Sequence, residues 1–416
     1  MGKIWQSVSR SNIVTIGYIG VYTLETIPTE VLSLATQSLV TVDKDGKPVP
    51  SLASYWTISD DGKTYIVFLK DNLKWHDQTN VDAKDISIAI SDVEITALNN
   101  KAIEFKLPNP IYSFPLMLDK PVFKSKTFYG TGNYRIVNID QVENVVKKIS
   151  LVPKDKNLPR VEIKFYLNEI QALNALKIGE IKNAKVANAK NLENWPNLEI
   201  EKSVGDQDAI TIFFNTKDPL FSSKEFRQAL IYAINKTDFD GVGCTGPISP
   251  KNWTHNSNLK KYEYNIGKAK ELLAESQIKN PEITLTITAN LEEVAHQVKR
   301  DWEAIGVKTT IATEKNIPRE FQALLAVNKL QPNPDQYGLW HSTSKDTNIT
   351  GYSNPKVDKL LEDARSEKNE QARKELYLDF QKVLVDDAPA ACLYHPYKYE
   401  ATYKNIKPLL EKLSVQ

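Results

Sequence analysis

The sequence is poor in the residues that most often carry chemistry. Its 416 residues include two cysteines and five histidines. Two thiols are too few for a disulfide-stapled scaffold or a four-thiolate zinc site. The histidines, at positions 76, 255, 296, 341 and 395, are scattered, so no helix face presents the i, i+4 pair that holds zinc in a hydrolase. Only eight arginines occur, and 53 Lys+Arg balance 52 Asp+Glu for a net charge of +1. A nucleic-acid binder carries a basic surplus, and bidentate phosphate recognition relies on arginine, so neither is expected. The longest clear apolar run, Ala229 to Ile234, is six residues, far short of the roughly 20 needed to span a membrane.

Catalytic motifs are missing as well. There is no Gly-x-Ser-x-Gly elbow and no Gly-x-Gly-x-x-Gly after a strand, and Gly267-Lys268 lacks the upstream glycine of a phosphate loop because position 262 is Tyr. Asp43-Lys44-Asp45-Gly46 has neither the Gly nor the Glu of a calcium loop at the required positions. Neighbouring acidic pairs such as Glu292-Glu293 and Asp386-Asp387 read as solvated surface, since adjacent carboxylates on a helix point to different faces. No metal and no cofactor is expected. The start, Met-Gly-Lys-Ile-Trp, is not a signal peptide. Two readings follow: a cytoplasmic chain, or a mature segment whose export signal has been replaced.

What is present is a chain long enough for two or three domains, with 41% hydrophobic and 25% charged residues. The first 125 residues are strand-like, with hairpin turns at Asp43–Gly46 and at Asp61-Gly62, where glycine supplies the positive φ. From about residue 160, helices alternate with strands. One helix carries Ile170, Leu173 and Leu176 on one face. Another runs from Ser223 to Lys236, with Ser222 and Glu225 at capping-box spacing. The clearest unit is strand–helix–strand: Ile283, Leu285 and Ile287 alternate, Asn290 caps a helix with Val294, Val298 and Ile305 inward, and Gly306 stops it before Val307–Ile311. Such a crossover predicts parallel strands of an α/β sheet. Helices opening at Asn354-Pro355 and near Glu370 follow. Two loops rich in Pro, amide and aromatic residues stand out, Cys244 to Trp253 and Pro332 to Ser342, and loops are where binding groups are displayed.

Several ordered segments resemble the extracytoplasmic solute-binding proteins of peptide-type ABC importers, the oligopeptide, dipeptide and nickel-binding family 5. They are Asp45 to Trp56; Ser59 to Tyr65 followed by Leu73 to Asp77; Asp82 to Ile86; Gly130-Thr131-Gly132-Asn133-Tyr134; Phe213 to Thr216; Phe226 to Leu230; and, most specific, Pro334 to Ser342 and Gly351 to Leu361. The resemblance implies a two-lobed periplasmic-binding-protein-like type II α/β fold, with a small, shortened β-rich accessory domain on lobe one. Lobe one would comprise 1–42, 125–237 and 396–416, the accessory domain 43–124, and lobe two 238–395. It implies a monomer that is not an enzyme, capturing a peptide or similar-sized solute and delivering it to a membrane permease. It also implies an extracytoplasmic location, lipid-anchored in the full-length form. Alternatives are a secreted hydrolase acting on glycans or peptides, and a solute sensor coupled to a signalling receptor. The expected ligand contacts are Trp253, Tyr337 and Trp340 as apolar walls, His341 and Asn348 as polar partners, and Tyr22, Leu24 and Asn215 from lobe one. Family members often place an acidic residue a few positions before the Pro334 segment to hold a peptide's amino terminus; here the stretch reads Lys329-Leu330-Gln331-Pro332. Cys244 and Cys392, 148 residues apart, would in an exported chain be either a disulfide or two buried thiols.

Overall fold

The computed structural model describes residues 12–414 except 44, 45, 191, 193 and 289. Lys44 and Asp45 of the first predicted turn therefore lie outside the described residues. The strands that flank that turn, Val40–Val42 and Pro48–Pro50, pair antiparallel. The second turn closes the hairpin Ala53–Ile58 with Thr64–Leu69, with Gly62 at φ +69°.

Those strands, with Ala102–Lys106 and Glu94–Asn99, make a four-stranded antiparallel sheet. Its core, from Leu39 to Val122, is built on Val67, Trp75, Phe105 and Phe114. The segment Gly130–Gly132 fastens the region that follows to this part of the chain. The Gly130 amide donates to His76 Nδ1 (3.1 Å) and His76 Nε2 meets the Gly132 carbonyl (3.0 Å). That leaves Nε2 as the protonated nitrogen. A Cβ on Gly130 would lie 2.1 Å from the Ala35 carbonyl oxygen and one on Gly132 2.6 Å from the Ala35 carbonyl carbon. Only glycine fits such a backbone approach.

The rest is α/β, arranged as two sheets that share one strand. In the first, Ile13–Ile19 lies parallel to both Arg160–Tyr166 and Asn183–Val186, with Tyr134–Val142 and Val145–Pro153 beyond. In the second, Glu282–Thr288 is parallel to Lys308–Glu314 and to Ala323–Lys329, and Asp208–Phe214 runs antiparallel beside the last. The predicted strand–helix–strand unit is present, with Glu292–Glu303 as its helix and Ala295, Val298 and Trp302 buried. Asn290 is not its cap: that position is Leu291, and Asn290 sits at φ +72° in the turn before it. The helix Glu169–Lys177 buries Ala172, Ala175 and Leu176, while Ile170 is exposed; its sheet-facing stripe is one position off the predicted one. The cap of Lys224–Ala233 is Ser223, whose Oγ accepts from the Phe226 amide.

The shared strand is Ala390–Tyr403, 14 residues long. Its first residues pair with Ile210–Phe213, and Tyr394–Pro396 with Gly241–Gly243. From Tyr397 onward it pairs with Leu198–Val204 and then also with Asn183–Val186. The chain makes its other pass beside it, where the Gly205 amide donates to the Pro396 carbonyl (2.9 Å). The first pass thus falls near residue 206. The physical reason is burial: all seven residues of Asp208–Phe214 are buried, as befits a strand paired on both edges inside the second sheet. The helix Lys224–Ala233 shares that sheet's core, with Phe226 and Leu230 packed among Ile212, Leu285 and Trp302.

Cys244 and Cys392 form a disulfide, with Cα atoms 5.4 Å apart. It ties the loop after Gly241–Gly243 to the shared strand. Closing a loop of 148 residues removes much of the denatured chain's freedom. Replacing both cysteines by serine should cost about 2–5 kcal/mol, read as a lower guanidinium midpoint; unchanged stability would mean the bridge adds nothing.

Candidate functional site

A cavity of about 1100 Å³ lies between the two sheets. One wall is a face of the first sheet, with Ile16 and Tyr18, Asn183 and Lys185, and Lys398, Glu400 and Thr402 following strand alternation. The facing wall comes from the second sheet: Asp208, Ile210, Val327, Lys329 and Tyr394, plus Asn290 to Val294 at the start of the helix Glu292–Glu303. The terminal helix Lys407–Ser414 closes one side with Lys407 and Leu410. Small-molecule pockets run about 300–1,000 Å³, so this gap takes a solute of oligopeptide size. A second cavity, about 40 Å³, lies beside the disulfide and is lined by Cys392, Thr211, Tyr262 and Trp340. Its volume suits two or three waters, not a solute.

The large cavity's polar groups are held firmly. Asn183 is buried and its Nδ2 donates to Glu400 (2.7 Å) and to Thr402 Oγ1 (2.8 Å). Glu169 accepts from the Ala187 and Asn188 amides (3.3 and 3.2 Å). Tyr399 Oη donates to Asp240 (3.0 Å). Asp208, 6% exposed, accepts from Lys329 (2.6 Å) and Lys398 (2.5 Å), and its carbonyl meets His395 Nδ1 (2.9 Å). Lys407 is paired with Glu199 and, at 2.8 Å, with Glu201. Two tyrosines report the local field. Burial first, and then Glu30 and Glu400, raise the Tyr18 hydroxyl above its ordinary pKa. Burial first, then Asp240 and Glu293, push Tyr394 up to about 12.

None of the eight residues expected to touch ligand lines this cavity. Trp340 is 2% exposed and packs against Phe213 and Tyr352, each at 6.4 Å between ring centroids. Tyr337 stacks on His341 at 3.9 Å, with the Arg365 guanidinium 3.8 Å over its ring. His341 is buried; its Nδ1 accepts from the Thr343 amide (3.2 Å), and Nε2 meets Glu362 (3.3 Å). Asn348 Nδ2 donates to the carbonyls of His341 (3.3 Å) and Tyr352 (2.8 Å). Trp253 packs on Gly46, below the Arg373 guanidinium at 5.6 Å. Tyr22 and Leu24 pack on the first sheet's core, and Tyr22 Oη donates to the Ile19 carbonyl (3.0 Å). Asn215 bonds the Phe321 carbonyl (3.0 Å) and the Lys217 amide (3.1 Å). The structure thus places the eight expected contacts away from this cavity. Trp340 and Tyr337 pack on the outer face of the second sheet, with the Trp340 indole N–H buried and without a hydrogen-bond partner. The cavity instead uses strand positions in Tyr394–Glu400, an alternation of rings and charges that the sequence displays openly. It also uses Glu292 and Glu293, which the sequence reading placed on solvated surface.

The model of the bacterial extracellular solute-binding proteins, family 5 middle region, matches residues 47–352, more than half of the chain. The chain belongs to this family. It is 24% identical to the oligopeptide-binding protein AppA of Bacillus subtilis, over 93% of this chain and 85% of that protein. Its fold matches the structure of that AppA in complex with a nonapeptide (TM-score 0.76, 22% identity, 94% of each chain). It likewise matches NikZ of Campylobacter jejuni in complex with Ni(L-His) (TM-score 0.79, 22% identity, 95% of this chain and 94% of that one). The architecture is thus the two-lobed type II fold of the family 5 binding proteins, with the β-rich accessory sheet attached.

Two outcomes follow from these placements. Trp340→Ala should cost about 3–5 kcal/mol of stability by opening a core cavity while leaving the affinity of the folded protein for its solute unchanged; a lost affinity at full stability would return Trp340 to the binding surface. Burial favours the protonated form of Asp208, but Lys329 and Lys398 outweigh it and hold the carboxyl below its ordinary value. A depressed carboxyl stabilises above its unfolded pKa, about 3.9, and that contribution is lost as pH falls through the folded value. Asp208→Asn should therefore lower stability by about 1–3 kcal/mol at neutral pH and less at pH 3, measured by urea unfolding at both; an equal loss at both would remove the ion pairs from the account.

Proposed function

We propose that this protein is the substrate-binding component of an ABC importer, holding a peptide or similar-sized solute between its lobes and handing it unaltered to a membrane permease. The observation that carries the reading is the cavity of about 1100 Å³ walled by both sheets. A guest there touches both halves at once and so favours the closed arrangement by its differential contacts. In this reading lobe one is residues 12–204 and 397–414, excluding an accessory domain at 43–124, and lobe two is 208–396. Closure bends the chain at Gly205 and Pro396, where a residue with wide φ/ψ freedom faces one lacking an amide donor.

Several features support a binder over a hydrolase. Among the described residues, no histidine, serine or cysteine lines the cavity, so no base–nucleophile pair of the usual kind faces a guest. No group of three or more His, Cys, Asp or Glu suited to a metal ion occurs among the described residues, which favours an organic solute over a bare cation. The disulfide fits an extracytoplasmic setting, and no helix among the described residues is long and apolar enough to cross a membrane. We place the protein outside the cytoplasm, as a monomer held at the membrane by a lipid anchor.

Native mass spectrometry with a pool of short peptides tests this. The expected result is one intact peptide retained per chain, with about 2.7 kcal/mol of added stability at 100 times the dissociation constant. Cleaved products would point to the hydrolase, and retention of no peptide would end the peptide reading.

A further inference from the structure

We infer that the cleft selects cationic solutes, such as lysine- or arginine-rich peptides. This rests on reading the gap between the sheets as the ligand site. The gap itself defines the site; its charge decides what enters. Ten carboxylates and four ammonium groups line it. Asp208 with Lys329 and Lys398 nets +1 and Lys407 with Glu199 and Glu201 nets −1, so these six groups cancel and seven carboxylates remain against one lysine, Lys185. Other carboxylates are fixed by neutral donors, which orient them without cancelling their charge. Asn183 holds Glu400, Tyr399 holds Asp240, and two backbone amides hold Glu169.

The facing wall adds to the same sign. A helix N-terminus is ordinarily the place where a ligand's carboxylate settles. Here the first turn of Glu292–Glu303 carries Glu292 and Glu293, so the partial positive charge is answered from within the chain. Glu293 and Tyr394 line one wall and Glu400 and Tyr18 the other, so carboxylates front both walls of a gap lined also by aromatic rings. A guest with spaced ammonium or guanidinium groups finds acceptors on both lobes and ring faces for its stems. A neutral guest leaves those carboxylates facing one another, and an anionic guest is repelled.

Calorimetry on the whole chain with trilysine, trialanine, triglutamate and spermidine tests this at low and high ionic strength. Trilysine should bind roughly tenfold or more tightly than trialanine at low salt, triglutamate weakest, with the gap closing as salt screens it. The double variant E292Q/E293Q and the single variant E400Q should each narrow the gap while melting like the parent. E400Q keeps its oxygen acceptor for Asn183, so the two give separate readings should one fail to fold. Equal affinity for all three peptides would overturn the charge inference and leave the peptide reading standing. Binding of spermidine but of no peptide would keep the charge inference and end the peptide reading. Binding of none of the four would overturn both.

Discussion

The structure depends on one strand that belongs to two sheets. Ala390–Tyr403 pairs with the second sheet at its start and the first at its end, so the halves are joined by backbone hydrogen bonds rather than by a loose linker. The Gly205 amide bonds the Pro396 carbonyl, and Asp208 gathers Lys329 from the second sheet and Lys398 from the first-sheet end of the shared strand. Backbone at such a crossing needs its donors and acceptors paired, yet it also has to bend if a guest is to be enclosed. A Gly beside a Pro meets both demands: the proline gives up one ladder donor and the glycine accepts a wide range of angles.

Away from this crossing, buried polar contacts brace the helices that cover the second sheet. Arg227 is 5% exposed and spends its donors on the carbonyls of Phe221, Ser222, Asp387 and Ala388. It thereby fixes the start of its own helix against the end of Glu370–Asp387. Asp387 in turn accepts from Tyr352 (2.5 Å) and from Asn354 (2.7 Å), which positions the helix Pro355–Ser366. The ends of these helices are thus locked through Arg227, Asn354 and Asp387, each of which meets hydrogen-bond partners, the condition under which buried contacts add rigidity. A rigid lobe is what lets a small rotation at the crossing move the whole wall of the cleft.

That division explains what the sequence disclosed. The segments that resemble the family include Gly130–Gly132, Phe226–Leu230 and Gly351–Leu361, and the structure shows them at close backbone approaches, a buried guanidinium and helix caps. Each is a local device in contiguous residues, so a linear pattern captures it. The strand–helix–strand unit was legible for the same reason. The cleft was not, because its wall takes alternate residues from strands far apart in the chain, such as Tyr18, Asn183 and Glu400. Aromatic loops such as Pro332–Ser342 leave two readings open in a sequence, because rings and amides serve packing as readily as binding, and only the partner of each polar edge tells the two apart. Asp208–Phe214 is buried at every position, and which sheet it joins depends on register with Ala323–Lys329.

The electrostatics of the cleft follow from which partners the carboxylates have. A lysine beside a carboxylate removes its field beyond a few ångströms, as with Asp208 and Glu201. An amide or phenol beside a carboxylate fixes its position and leaves the charge in place, as with Glu400 and Asp240. At the crossing Asp208 is shared by Lys329 and Lys398, where an unpaired buried charge would destabilise the joint, while Asn183 and the Ala187 and Asn188 amides hold Glu400 and Glu169 along the wall. Enclosure by both lobes removes water from between these carboxylates, which strengthens their mutual repulsion. Closure on an empty cleft is therefore opposed by the same groups that favour closure on a cation, so the charge pattern contributes to gating as well as to choice of guest.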